Sequence, residues 1–147
     1  MDNKLKFKTR LVAIQIVAQQ LINRKDIDII KNDFDRNYRN TKLDESLDKT
    51  EYNVNFLSKL IENYKTINFK KLSIEINSLI NFTRKFEKWD TINQAIILVS
   101  ISELRNLAES KIIIVLNDYL EISKSFVTLR ETKLLNLILD KLINAKK

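Results

Sequence analysis

Apolar side chains recur along this chain at steps of three and four, the spacing that lines them up on one face of a helix. Between residues 9 and 23 the repeat runs through Val12/Ile14, Val17/Ala18 and Leu21, and it stops at Asn23-Arg24-Lys25. A second helix is predicted over about 26–39 through Ile27, Ile30, Phe34 and Tyr38, with Asp26 placed as its N-cap. Residues 40–50 carry no such repeat and are rich in Asn, Thr, Lys, Asp, Glu and Ser, which predicts a loop. The third helix follows over about 51–65 through Val54, Leu57, Leu60/Ile61 and Tyr64. The fourth runs over about 69–87 through Leu72, Ile76, Leu79/Ile80, Thr83 and Phe86.

Asp90 or Thr91 can cap a fifth helix whose stretch Ala95-Ile96-Ile97-Leu98-Val99-Ser100-Ile101 is apolar nearly all round, the mark of a buried central helix. The sixth, about 111–126, opens with Ile112-Ile113-Ile114-Val115-Leu116, whose local propensity also suits a buried strand. Its continuation as Asn117-Asp118-Tyr119-Leu120-Glu121-Ile122, without turn residues, favours helix. The seventh, about 130–144, repeats Leu134/Leu135, Ile138/Leu139 and Leu142. No internal repeat or low-complexity linker divides residues 1–147, and seven amphipathic helices close a core only by packing on one another. The expectation is a single all-α bundle domain.

Composition sharpens this picture. The chain has Gly 0 and Pro 0, so hairpins and tight turns lack their usual residues and an all-helical chain turns on Asn, Asp, Ser and Lys instead. Cys 0 excludes disulfides and thiolate metal sites, and His 0 removes the commonest metal ligand and general base. Neither a catalytic site nor a metal or cofactor is therefore expected. With 44% hydrophobic and 31% charged residues, the chain has the balance of one soluble domain. Its N-terminus lacks a signal-peptide core and no apolar run approaches the ~18 residues of a membrane span, so a cytoplasmic location is expected.

A formal charge of +7 raises association with polyanions without specifying which. Composition alone serves a solubilising surface equally well. The charge is dense at the start, where Lys4, Lys6, Lys8 and Arg10 stand against Asp2 with Phe7 among them. Such an entry can neutralise phosphates while an aromatic stacks on an unpaired base, or it can be a solvated terminus. At the start of the last helix, Arg130, Lys133 and Asn136 join backbone N–H groups that favour anions, although ordinary capping needs the same residues. Asn117, Glu121 and Lys124 lie about a helical turn apart, but no nucleophile or phosphate loop accompanies them. A structural polar network is the expectation there and at Glu103.

Four blocks carry a family resemblance. Residues 117–126, Asn-Asp-Tyr-Leu-Glu-Ile-Ser-Lys-Ser-Phe, and 133–141, Lys-Leu-Leu-Asn-Leu-Ile-Leu-Asp-Lys, are similar to the two closing helices of the NusB family of bacterial transcription antitermination factors. Residues 89–104 resemble its central helix, which ends in Glu-Leu as Glu103-Leu104 does here. Lys8-Thr9-Arg10-Leu11-Val12-Ala13-Ile14-Gln15 resembles its basic entry. The blocks stand in the family's order at consistent distances.

The resemblance implies two small helical bundles joined along a buried central helix. It also implies binding of boxA-type single-stranded RNA in ribosomal transcripts, as a heterodimer with the small-subunit ribosomal protein NusE and acting on the RNA polymerase elongation complex. The RNA-binding residues it implies are Lys4, Lys6, Lys8, Arg10, Lys133, Leu134 and Asn136. Departures accompany the match. Leu134 stands where the family has Phe, Val127 and Leu137 where it has Gly, and Leu98 where it has Arg. Two rivals remain. A NusB-like domain of a ribosomal-RNA cytosine methyltransferase needs a following catalytic domain, whereas this sequence stops at Lys147; a basic helical protein-interaction module needs no RNA.

Overall fold

The structure, a computed structural model, describes residues 1–39, 51–81 and 83–145. The loop expected over 40–50 lies outside them. Among the described residues the chain forms seven α-helices: α1 (Asn3–Asn23), α2 (Ile27–Asp33), α3 (Val54–Lys65), α4 (Phe69–Leu79), α5 (Thr91–Leu104), α6 (Glu109–Ser123) and α7 (Leu129–Asn144). A π-helical turn, Phe34–Tyr38, continues α2, and a 3-10 turn, Phe86–Lys88, precedes α5. The all-α expectation holds, and the strand-like run 112–116 is helical within α6.

α5 is the centre. Every residue from Gln94 to Leu104 is buried, as its all-round apolarity requires. Its two buried serines are satisfied locally, Ser100 donating to the Ile96 carbonyl and Ser102 to that of Val99. α1 and α3 pack on α5 and on each other, with α2 against α1; α6 and α7 pack on α5 and on each other, with α4 against α7. Two bundles thus share one helix. Leu98, the departure that makes this face of the central helix more apolar, is 1% exposed within that shared core.

α1 runs antiparallel to α5. Arg10 meets Glu103 near the end of α5, while Gln20 and Leu21 share a cavity with Gln94 near its start. α7 begins beside that same start, where the Asn93 amide donates to the Glu131 carboxylate at 2.7 Å.

Two boundaries differ most from the periodicity reading. α1 starts at Asn3 rather than 9, because Asp2 caps it by accepting from the Leu5 N–H at 2.7 Å and Phe7 packs on the core. The basic entry is therefore helix. α4 ends at Leu79 rather than near 87: Ile80 is extended, and the Asn77 side chain accepts from the Phe86 N–H at 2.9 Å, drawing the following segment back along α4. Asn77 outcompetes the helical continuation that Thr83 and Phe86 had suggested.

Turns without glycine are made chiefly with side-chain caps. Asn53 caps α3, Asn68 caps α4, and Thr128 with Glu131 forms a capping box on α7. After α6, the Phe126 and Val127 N–H groups both bond the Ser123 carbonyl, so this turn is closed without any left-handed residue and needs no glycine at 127. Arg24 alone among the described residues takes positive φ (59°), ending α1 with its N–H on the Gln20 carbonyl at 2.8 Å. A Cβ in this conformation costs about 1–2 kcal/mol. Arg24→Gly is expected to stabilise the fold by up to about 1 kcal/mol, part of the relief being offset by the added unfolded-state freedom of glycine. The check is a higher denaturation midpoint in urea at unchanged m-value.

Candidate nucleic-acid interface

At 3.6 residues per turn, positions 4 and 8 share one face of α1 while 6 and 10 share another, so the basic entry is two half-strips rather than one. Lys4 is exposed, and Lys6 and Lys8 are half-buried. Arg10 is buried, at 4% exposure. Its Nε and Nη2 donate to the two carboxylate oxygens of Glu103 at 2.9 and 2.8 Å, and its Nη1 donates to Asp118 at 3.0 Å. The guanidinium lies 5.3 Å from the Phe56 ring centroid and 5.6 Å from that of Tyr119, whose hydroxyl donates to Glu103. Burial works against the Arg10 charge, but the Glu103 bond and the surrounding anions outweigh it and raise its pKa. Arg10, expected among the RNA-binding residues, thus has its donors engaged in the core, and phosphate contact would leave Glu103 buried and unpaired. Glu103 belongs to the structural network anticipated for it.

The start of α7 is also self-satisfied. The Glu131 N–H donates to the Thr128 hydroxyl at 3.1 Å, and the Glu131 carboxylate in turn accepts from Thr128 and from Asn93. Those bonds, Asn93 first, hold the Glu131 carboxyl below its usual range. The internal carboxylate takes the place an external anion would occupy at this helix start. Lys133 and Asn136 remain exposed on the outside of α7, with Leu137. Leu134 is half-buried and lines a cavity of about 220 Å³ together with Arg84, Trp89 and Asn93. Asn93 Oδ1 is buried there without a hydrogen-bond partner.

The expected site residues therefore fall into two groups. Lys4, Lys6 and Lys8 belong to the end of α1 near Glu103, and Lys133, Leu134 and Asn136 to the end of α7 near Asn93. The ten steps from Asn93 to Glu103 correspond to roughly 15 Å of α5 at a 1.5 Å rise.

Between α4 and α5 the structure presents cations around the 3-10 turn: Arg84 and Lys85, which fell inside the expected fourth helix, and Lys88 just beyond it are exposed. The signal for them was present as the interleaving of basic and aromatic residues in Arg84-Lys85-Phe86-Glu87-Lys88-Trp89. On α6, Lys124 pairs with Glu121 at 2.7 Å in solvent, the ordinary surface pair expected there. Among the described residues no cluster of three or more His, Cys, Asp or Glu could hold a metal ion. No described helix is long and apolar enough to cross a membrane.

Arg10→Met is expected to cost about 3–5 kcal/mol, because it removes one partner of a buried, hydrogen-bonded ion pair. Chemical denaturation measures it, and a loss below about 1 kcal/mol would show that Glu103 finds water instead. Burial first, and then Glu103, raise the Tyr119 pKa well above its ordinary 10.0. A phenol that stays protonated in the fold while ionising in the unfolded chain removes stability as pH rises past the ordinary value. Tyr119→Phe should therefore flatten the alkaline limb of stability against pH, read as denaturation midpoints at successive pH values from about 9 upward.

A model of the NusB family matches residues 7–144 of this chain. No curated protein matches it.

Proposed function

The chain belongs to the NusB family of RNA-binding factors, and on that footing we propose that it is a transcription antitermination factor that does no covalent chemistry. In this reading it binds boxA-type single-stranded RNA of ribosomal transcripts in the cytoplasm, as a heterodimer with NusE, and the pair acts on the elongating RNA polymerase. One observation carries the proposal beyond the family: Leu134 and Trp89 wall a single cavity with Arg84 at its edge and exposed Lys133 next in the chain to Leu134. Unpaired bases are held by stacking faces while cations neutralise the adjoining phosphates.

Lys4, Lys6 and Lys8 supply a second group of positive charge, nearer the other end of α5. Lysine offers point charge rather than a bidentate fork, so this group attracts the backbone without reading sequence. Sequence preference is then expected to come from the joint surface with NusE. Titration of a boxA-like RNA and a scrambled control, with and without NusE, tests the whole reading. Binding is expected to be weak for the chain alone and tightened by NusE on the boxA-like strand; equal affinity for both RNAs in the presence of NusE would overturn it.

Two variants probe the two groups. Lys4→Gln, Lys6→Gln and Lys8→Gln combined should make the log–log salt slope shallower by about 0.7 for each phosphate that is no longer neutralised. Arg10 is kept because its loss destabilises the core. Leu134→Phe should tighten RNA binding, since stacking on an aromatic is worth ~1–3 kcal/mol per base and the half-buried Leu134 faces a cavity that can take part of the ring. A lowered melting temperature with unaltered affinity would instead assign Leu134 to the core.

A further inference from the structure

The 3-10 turn Phe86–Lys88 adjoins two cavities: its Glu87 lines one, and Trp89, the residue after it, lines the other, as do Asp90 and Glu131. The second is the Leu134 cavity; the first, a larger one of about 420 Å³, is walled by Leu21, Tyr64, Phe69 and Gln94, with Arg24 and Lys25 also lining it. One aromatic stack supports both. Phe69 packs on buried Phe86 with ring centroids 5.6 Å apart, and Phe86 meets the Trp89 ring edge-on at 5.2 Å. Tyr64 is fixed at the larger cavity by donating its hydroxyl to Gln20 at 2.7 Å.

Exposed cations border the whole crossing: Arg84 at the smaller cavity, Lys85 and Lys88 at the turn, Arg24 and Lys25 at the larger cavity. None of the five forms an ion pair among the described residues. Glu87, the acidic residue of the turn, accepts from Asn77 at 3.0 Å, a bond that heads the causes holding its carboxyl below the usual range. A small anion would engage one cavity and leave most of these charges unused. A strand carrying a phosphate at each unit and a flat ring between phosphates matches both the series of cations and the two aromatic-walled cavities.

We propose that a single RNA strand crosses the Phe86–Lys88 turn, seating an unpaired base in each cavity while Arg84, Lys85, Lys88, Arg24 and Lys25 neutralise its phosphates. The inference rests on the RNA-binding reading and extends it: the RNA path continues from the Leu134 cavity toward the end of α1 and the start of α4.

The test uses the full chain and a 12-nucleotide single-stranded RNA with 4-thiouridine placed at successive positions. Photocrosslinks mapped by mass spectrometry are expected on Trp89 from one position and on Tyr64 or Phe69 from another several nucleotides away. The combined variant Arg84→Gln, Lys85→Gln, Lys88→Gln should make the log–log salt slope shallower by about 2, at about 0.7 per phosphate. A charge-matched control, Lys59→Gln, Lys111→Gln, Lys141→Gln, should keep the wild-type slope. If wild type binds RNA but the two triple variants behave alike, or no crosslink reaches Tyr64 or Phe69, the track is overturned and the RNA-binding reading survives. Equal competition by polyglutamate also overturns it, because charge alone would then account for binding. Wild type that does not bind RNA removes both.

Discussion

Everything in the arrangement of the two bundles passes through the buried pairing of Arg10 with Glu103. Its guanidinium belongs to α1, the carboxylate to α5, the flanking Asp118 and Tyr119 to α6, and the Phe56 ring beneath it to α3. Four helices are therefore held by one planar cation. Hydrophobic burial alone is non-directional and would tolerate several rotations of α1 against α5. A bidentate pair tolerates one, since any other rotation strands a charge in the core. Together with the packing of Gln20 and Leu21 beside Gln94, that pairing holds α1 antiparallel to α5 and brings Arg24, at the far end of α1, to the large cavity near the start of α5.

A chain without glycine or proline meets its turns differently from most. Asparagine, aspartate and threonine caps begin five of its helices, and beyond α4 Ile80 is extended while Asn77 holds the Phe86 N–H. The left-handed position that glycine would normally hold falls to Arg24, with the associated strain placed at a cation on the rim of a cavity. The proposed RNA contacts fall on the turn between α4 and α5, on the first turns of α1 and α7, and around the ends of α1 and α3. Helix faces here are largely committed to the core.

Residues of one type have different roles according to which way their helix turns them. Lys4, Lys6, Lys8 and Arg10 form one basic run by composition, yet three lysines keep contact with solvent while Arg10 is nearly sealed. Alternation along the chain cannot show this, because a 100° step sends neighbouring members of the run to different neighbours. Periodicity also drew Arg84 and Lys85 into a helix: Thr83 and Phe86 extend the apolar spacing of α4, which stops at Leu79.

What the sequence determined by itself were the properties that depend on local spacing and composition. Seven helices, the cap at Asp26, the start of α5 after Asp90 and the burial of α5 all follow from apolar periodicity and from the residue types that favour helix starts. The four ordered blocks likewise pointed to the family that the match over 7–144 establishes. Tertiary structure decided the rest: the partners of Arg10, the end of α4, and the separation of the N-terminal lysines from Leu134 along α5. These depend on contacts between residues as far as 93 positions apart, as Arg10 is from Glu103. Such contacts arise only when the bundles close, and that closure determines which charges are paired inside and which are left outside for RNA.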